Sequence, residues 1–409
     1  MMVTPIVKRC AGLDVHKMVV MVTVLLEQED GSIAEETREF GTFRKHRRQM
    51  CRWLKGHEVE LAVMESTGIF WKSIFTSLEE AGINTYVVNA RYVKKVPGRK
   101  TDVSDSQWLA TLGRLGLLKP SFIPPKDLRE LRLITRHRVK LQGMLAAQTN
   151  RLHKVLDDAG IRLGGVVSDI NGLSARALIE GLIDGKAPGE IVPHVRGRLK
   201  EKIPQLLDAL DEPLGERHRF LLQSIAQHLC YLEQEIDNLD KYLFAAMIPY
   251  QRQWEILQTI PGVDAVSAAM LLVEIGVDMT CFGRAERLAS WAGMCPGNNE
   301  SAGKRKGGRI RKGNWALRRL LCEISNAANK TKSQFRGQYQ GLVIRRGHKR
   351  AIIAVGHKVL RVVYAMLKSL QPYRDPEIDY TGIVVQRNAP RWLAALKKYG
   401  FLPDMIKAA

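Results

Sequence analysis

Four acids carry the first chemical signal. Asp14 closes an apolar stretch in CAGLDVHK, and Glu65 closes another in LAVMESTG. Asp102 and Asp105 stand three apart in RKTDVSD, where a helical pattern begins. Taken singly, an acid at a strand end is a turn or cap residue, and acids favour a helix N-terminus for electrostatic reasons. The D-x-x-D spacing, however, puts both carboxylates on one face of the first helical turn. Four carboxylates gathered in one place repel one another unless a dication neutralises them, and Mg²⁺ takes all-oxygen ligands. Two such ions can flank a phosphodiester and stabilise its attacking and leaving oxygens.

A second signal lies in ESAGKRKGGRIRKGN, residues 300–314. Six cations (Lys304, Arg305, Lys306, Arg309, Arg311, Lys312) share it with four glycines and one serine, Ser301. Such a run reads as a mobile basic loop that holds phosphates, and Gly303, Gly307 and Gly308 let backbone approach one closely. The hydroxyl at its threshold either caps a turn or is placed to attack a held phosphate. Serine is a weak nucleophile that needs a base or metal, and no histidine lies near it in sequence.

The elements that must position these groups follow from periodicity. Arg9 to Asp14, Met18 to Leu26 and Thr37 to Phe43 read as strands, with a turn around Val15-His16-Lys17. A helix from Arg44 to Lys55, a strand Val59 to Met64, a helix Ile69 to Ala81, a strand Asn84 to Asn89 and a helix from Asp102 complete an α/β unit. Neighbouring strands of such a sheet would set Asp14 and Glu65 side by side, with the D-x-x-D helix leaning over them. Beyond it, Leu131, Ile134, Arg138, Leu141, Leu145, Gln148, Leu152 and Val155 form one heptad seam. Leu222, Ile225, Leu229, Leu232, Ile236, Leu239 and Leu243 form another. These predict a coiled-coil arm or two helices packed within one domain. Residues 160–215, punctuated by Gly and Pro, give no clear pattern. From Trp254 onward the chain reads as helical. Ile260-Pro261-Gly262-Val263 before an apolar helix predicts a helix-hairpin-helix, whose Gly262 turn offers N–H groups to a phosphate, or else a structural turn. Trp291 and Trp315, flanking the serine stretch, read as core residues ahead of base-stacking platforms.

Composition agrees with a polyanionic partner. The 409 residues hold 63 Lys+Arg against 42 Asp+Glu, a formal charge of +21, and nucleic acid is the first partner class to consider. The length suits two or three domains with substantial cores. The longest apolar run, Met18 to Leu26, is half of a membrane span, and Asp14, His16 and Lys17 spoil a secretion signal. Six scattered cysteines without paired spacing predict a reducing compartment.

The motifs GLDVHK, MESTGIFW and KTDVSD resemble the three blocks of the RuvC-like DEDD domain of the IS110-family transposases. IPGV, LASWAGMCPGNNESAGKRKGG and RKGNWALRRLL resemble the blocks of that family's second domain. The resemblance implies a ribonuclease H-like α/β domain over residues 8–125 and a mainly α transposase domain over 251–372, in which the IPGV turn predicts the helix-hairpin-helix; the seams predict a coiled-coil helical arm over 126–250, and residues 160–215 and a tail over 373–409 carry no matching motif. It implies Mg²⁺ held by Asp14, Glu65, Asp102 and Asp105, and Ser301 as nucleophile. The implied activity is DNA strand cleavage and transfer through a phosphoserine, between donor and target DNA, directed by a structured non-coding RNA. A homodimer or homotetramer in the cytoplasm at the nucleoid, with the serine of one subunit meeting the acids of another, completes the expectation. Two alternatives stay open: a RuvC-like nuclease or junction resolvase that uses water, and a non-catalytic nucleic-acid binder, against which the intact acids speak.

Overall fold

The computed structural model describes residues 5–66, 68–89, 102–296, 300–301, 304–305, 310, 312–376 and 378–401; for 102–104, 300–301, 304–305, 381 and 384 it describes the backbone. Two compact units divide the chain, Met1–Lys126 and Asp127–Ala409.

In the first unit, strands rich in β-branched residues build one five-stranded sheet: β1 (Arg9–Val15), β2 (Val19–Glu27), β3 (Ile33–Gly41), β4 (Leu61–Glu65) and β5 (Thr85–Val88). Its order is β3-β2-β1-β4-β5. The β1–β2 and β2–β3 pairs are antiparallel, whereas β1–β4 and β4–β5 are parallel. A three-stranded meander extended by two strands parallel to its first is the ribonuclease H-like arrangement. Its parallel pairs require crossovers, which helices supply. Helix α1 (Arg44–Gly56) joins β3 to β4, and α2 (Trp71–Glu80) joins β4 to β5. Both pack on one face, where Met50, Leu54, Ile74 and Leu78 meet Ala11, Leu13, Val20 and Met64. Strand β3 begins at Ile33, earlier than the expected Thr37. Its polar sequence IAEETREFG hides the pattern, because an edge strand facing solvent needs no apolar alternation.

Helix α3 (Asp102–Arg114) covers the other face. Leu109 and Leu112 pack with Cys10, Leu61, Val63 and Val88, and full burial of one leucine contributes about 1.5–3 kcal/mol. The approach is close. A Cβ at Gly12 would fall 1.9 Å from the backbone oxygen of Ser106, and one at Gly113 would fall 2.6 Å from Val63 Cγ2. Buried Ser106 Oγ lies 2.7 Å from Thr23 Oγ1 of β2, fixing the helix along the sheet.

The second unit holds both heptad seams, on α4 (Lys126–Asp158) and α6 (Glu216–Ala246). They face each other antiparallel within the chain. Arg138 forks onto Asp240, Gln148 Nε2 meets His228 Nδ1 at 2.9 Å, and Leu152 and Val155 share a core with Leu222 and Ile225. The two polar interruptions of the first seam are thus each met by a polar residue of the opposite helix. The stretch that the sequence left unread, 160–215, folds over the end of this pair. It contributes α5 (Leu173–Ile183) and short helical turns, with Leu178, Leu182, Ile191 and Leu206 buried against the seams.

A helical cluster follows: α7 (Gln251–Gln258), α8 (Ala265–Ile275), α9 (Ala285–Ala292), α10 (Trp315–Ala328), α11 (Gln334–Arg346), α12 (His348–Ser369) and α13 (Tyr380–Lys398). Between α9 and α10 lies a two-stranded ribbon, β6 (Glu300–Ser301) and β7 (Lys304–Arg305). Among the described residues, no helix is long and apolar enough to cross a membrane.

Candidate functional site

Strand registry decides where the first two acids sit. The β1–β4 pairing runs from Cys10↔Leu61 to Leu13↔Met64, so Asp14 and Glu65 are the next residues of adjacent parallel strands. Side chains alternate across a sheet. Cys10 with Gly12 and Leu61 with Val63 face α3, so Asp14 and Glu65 turn to that same face. Their neighbours Leu13 and Met64 point into the opposite core.

Helix α3 brings the backbone of its first turn toward this edge. Ser106 stands against Gly12 and Gly113 against Cys10, so the helix runs antiparallel to β1. From Ser106 back to Asp102 the helix rises about 6 Å, and from Gly12 forward to Asp14 the strand advances about 6.6 Å. The first turn of α3 therefore reaches the level of Asp14. Asp105, directly before buried Ser106, is half-buried. The Asp14 side chain is 19% exposed, and its Oδ2 lies 2.9 Å from His16 Nε2. Among the described side chains, no three of His, Cys, Asp and Glu gather closely enough to hold a metal; the side chain of Asp102 lies outside that set. The donor chemistry fits a hard dication: every one of the four expected ligands is a carboxylate.

Ser301 belongs to the second unit and is positioned differently. The stretch expected to be a loop contains a hairpin. Ser301 pairs with Lys304 and Glu300 with Arg305, around the two-residue connection Ala302-Gly303, which lies outside the described residues. A bridge between Pro296 and Ile310 closes the ribbon at its base. Two glycines then let its ends converge: Gly293, at φ +74°, caps α9, and a Cβ on Gly313 would fall 2.4 Å from the Gly293 nitrogen.

After that junction, Asn314 joins a polar cluster built around one buried acid. Asn314 caps α10, accepting from Ala316 and Leu317 N–H groups, while its Nδ2 donates to Glu274 Oε2 at 2.6 Å. Glu274 is 2% exposed. Arg136 grips its carboxylate with two hydrogen bonds of 3.0 Å, and Arg132 donates to its backbone oxygen at 2.6 Å. Burial pushes the Arg132 guanidinium down to about 10, against the opposing pull of Glu274. Arg136 also lies over the Trp315 ring, 5.8 Å from its centroid. Trp315 is half exposed and so differs from the core reading; Trp291 packs on Phe282 at 5.6 Å.

Of the basic residues, Lys304 and Arg305 form β7, and Lys312 is exposed at the ribbon's base. Lys306, Arg309 and Arg311 lie outside the described residues. Gly262 forms the turn between α7 and α8 at φ +85°. A Cβ there would lie 2.5 Å from the Ala328 nitrogen, so the close approach that calls for glycine is to the end of α10.

Sequence reasoning missed His16, Arg132, Arg136, Glu274 and Asn314. One signal was available for Glu274: it is the lone charged residue of the helix AVSAAMLLVEI. Its partners lie far away in sequence and left none.

Comparison with known proteins covers both units. A family model for the DEDD transposase of IS110, described as "Transposase", matches residues 11–161. A second, "Transposase IS116/IS110/IS902 family", matches residues 254–340. The transposase for insertion sequence element IS1111A of Coxiella burnetii is 23% identical over 346 residues, 81% of this chain and 84% of that protein. An insertion element IS116 protein of Streptomyces clavuligerus is 25% identical over 317 residues, covering 70% of this chain and 77% of its own. Among solved structures, Thermus thermophilus RuvC aligns with 27% of this chain and 99% of its own at 14% identity, with a TM-score of 0.22. The two family models together take in more than half of the residues, and the chain belongs to the IS116/IS110/IS902 family of transposases, enzymes that act on DNA.

Proposed function

We propose that this protein moves an insertion sequence by Mg²⁺-dependent cleavage and exchange of DNA strands through a phosphoserine intermediate. The observation that carries the reading is the shared edge where Asp14 and Glu65 leave adjacent parallel strands beneath the D-x-x-D helix. Asp14, Glu65, Asp102 and Asp105 hold Mg²⁺, which when bound supplies positive charge to offset the negative charge that develops on a phosphodiester in its transition state. The carboxylates hold donor oxygens in place, and His16, hydrogen-bonded to Asp14, orients one of them.

Ser301 attacks the phosphorus. A P–Oγ bond forms, the bond to the leaving strand oxygen breaks, and the proton lost by the serine is balanced by one taken up at that oxygen, so one strand end is released as a hydroxyl. A hydroxyl from the exchanging strand then attacks the phosphoserine, and Ser301 regains its proton, with no net hydrolysis. The cations from Lys304 to Lys312 hold phosphates around the serine and fix the backbone without reading sequence. Choice of donor and target falls to a structured non-coding RNA. The protein acts as a homodimer or homotetramer, in the cytoplasm at the nucleoid.

The test is a covalent adduct. Incubated with cognate DNA, element RNA and Mg²⁺, the wild-type chain is expected to give a protein–DNA band resistant to denaturation. Ser301→Ala is expected to lose the band and recombination together while still binding DNA. A resolvase that uses water predicts otherwise: Ser301→Ala goes on nicking DNA at a substantial fraction of the wild-type rate, and the serine chemistry is then refuted.

A further inference from the structure

Helix α1, on the face of the sheet opposite the carboxylates, has no part in the chemistry above. Its sequence, RKHRRQMCRWLKG, contains six Lys or Arg and no acid. Its apolar side, Met50, Cys51 and Leu54, is buried in the core. Along the outer side run Arg44, Arg48 and Arg52, each four residues from the next, flanked by Arg47 and Lys55. These five cations line a cavity of about 520 Å³ between α1 and α2.

Like charges spaced four apart on a helix repel one another, and a structural helix commonly interleaves acids to relieve this. This one does not. Glu80 is the single acid in the cavity wall. Its Oε1 already accepts from Lys126 Nζ at 2.8 Å, which lowers its carboxyl most, with Arg44 and Arg47 adding to the effect. Among the described residues, Arg44, Arg48, Arg52 and Lys55 form no ion pair. Arg47 is held inward, donating to Thr42 O at 2.7 Å and to Ser77 Oγ at 2.9 Å.

The place of the stripe matters as much as its charge. Residue 42, just before α1, is tied to the turn that follows Asp14: Thr42 N–H donates to Met18 O at 3.1 Å and Thr42 Oγ1 to Lys17 O at 3.0 Å. The cationic row therefore starts at the sheet edge that carries Asp14 and Glu65 and leads away from it. From Arg44 to Lys55 it extends for about 17 Å, the axial span of roughly five phosphates on one strand of a duplex. A row of that length suits a polyanion better than a single phosphate.

We infer that α1 and the α1–α2 cavity form a track for the backbone of duplex DNA that enters or leaves the carboxylate edge. The direction of the track rests on the carboxylate edge being the site of cleavage; the cationic surface itself does not. DNA is the occupant favoured here because the family acts on DNA and the row is continuous with the acid edge. Contact is to phosphate, so it confers affinity and orientation without sequence preference.

The experiment is a salt titration of binding in EDTA, with the full chain and a duplex of arbitrary sequence. Arg44→Ala, Arg48→Ala and Arg52→Ala are combined in one variant. Each lost phosphate contact lowers the slope of log K against log salt by about 0.9, so the slope is expected to fall by about 2 to 3. The slope for a structured RNA is expected to stay unchanged. An unaltered DNA slope overturns the track, and a fall for RNA alone, or for RNA and DNA equally, overturns its assignment to DNA. Should the triple variant melt early, Arg48→Gln alone is expected to lower the DNA slope by about 0.9, and no change refutes the proposal equally. The assay uses neither metal nor Ser301, so a failed track leaves the adduct experiment untouched, and a failed adduct leaves this slope unexplained by chemistry.

Discussion

The carboxylate edge and the serine ribbon are held in place by different means. At the edge, hydrogen-bonded strands and one closely packed helix position the acids, and each is fixed by its place in a regular element. At the ribbon, two short strands carry the serine, and the chain that leaves it ties, at Asn314, into a polar cluster around buried Glu274. Registry errors in a sheet displace every side chain to the wrong face, so the edge is strongly specified by its apolar neighbours. A polar cluster is specified only when every member is present. The edge should thus tolerate surface changes and fail only when a ligand or the helix seat changes, whereas the ribbon should be sensitive to residues with no chemistry of their own.

The largest expected effect lies in the chemistry. Asp102→Asn should abolish strand cleavage in a nicking assay while leaving thermal melting and DNA binding close to wild type. Near-normal recombination by that variant would break the edge's side of the comparison. Next is Glu274→Ala, which leaves the partly buried Arg132 and Arg136 without their carboxylate. Removing one partner of a fully buried ion pair costs about 3–5 kcal/mol, and because water reaches both arginines the expected loss here is toward the lower end of that range, to be read by denaturant unfolding. A loss below 1 kcal/mol would mean that the cluster does not anchor the ribbon's base.

Gly12→Ala probes the helix seat without touching a ligand. Its Cβ would meet the Ser106 backbone oxygen at 1.9 Å, so α3 must lift, at a cost of about 1–3 kcal/mol by analogy with overpacked cores. Stability and metal affinity should fall together; unchanged metal affinity would show that the seat and the ligands are independent. The smallest effect belongs to Asn314→Ala, where loss of the cap costs about 1 kcal/mol in a melting experiment. A much larger loss would shift weight from Glu274 to Asn314 within the cluster.

Legibility in the sequence followed the same division. Apolar strands ending in an acid, as in LAVME, announce both strand and ligand, because period-two burial is written locally. The helix seat could be suspected from Gly12 but not located, since its partner is 94 residues away at Ser106. The seams were visible, yet their mutual pairing emerged only from contacts such as Gln148 with His228. The ribbon was hidden within a run of glycines and cations whose composition suggests a loop. Residues 160–215 were unread because, apart from α5, their helical pieces are of seven residues or fewer, too short for a periodic signal.

The central claim is that the four acids at the sheet edge are one metal site, and metal binding tests it without catalysis. Mn²⁺, which prefers oxygen ligands as Mg²⁺ does, can be titrated into the full chain and followed by its electron paramagnetic resonance signal, with Mg²⁺ as competitor. The account predicts saturable binding that Mg²⁺ displaces and that Asp14→Asn with Glu65→Gln removes while the melting temperature holds. Unchanged Mn²⁺ stoichiometry and affinity in that double variant would contradict it.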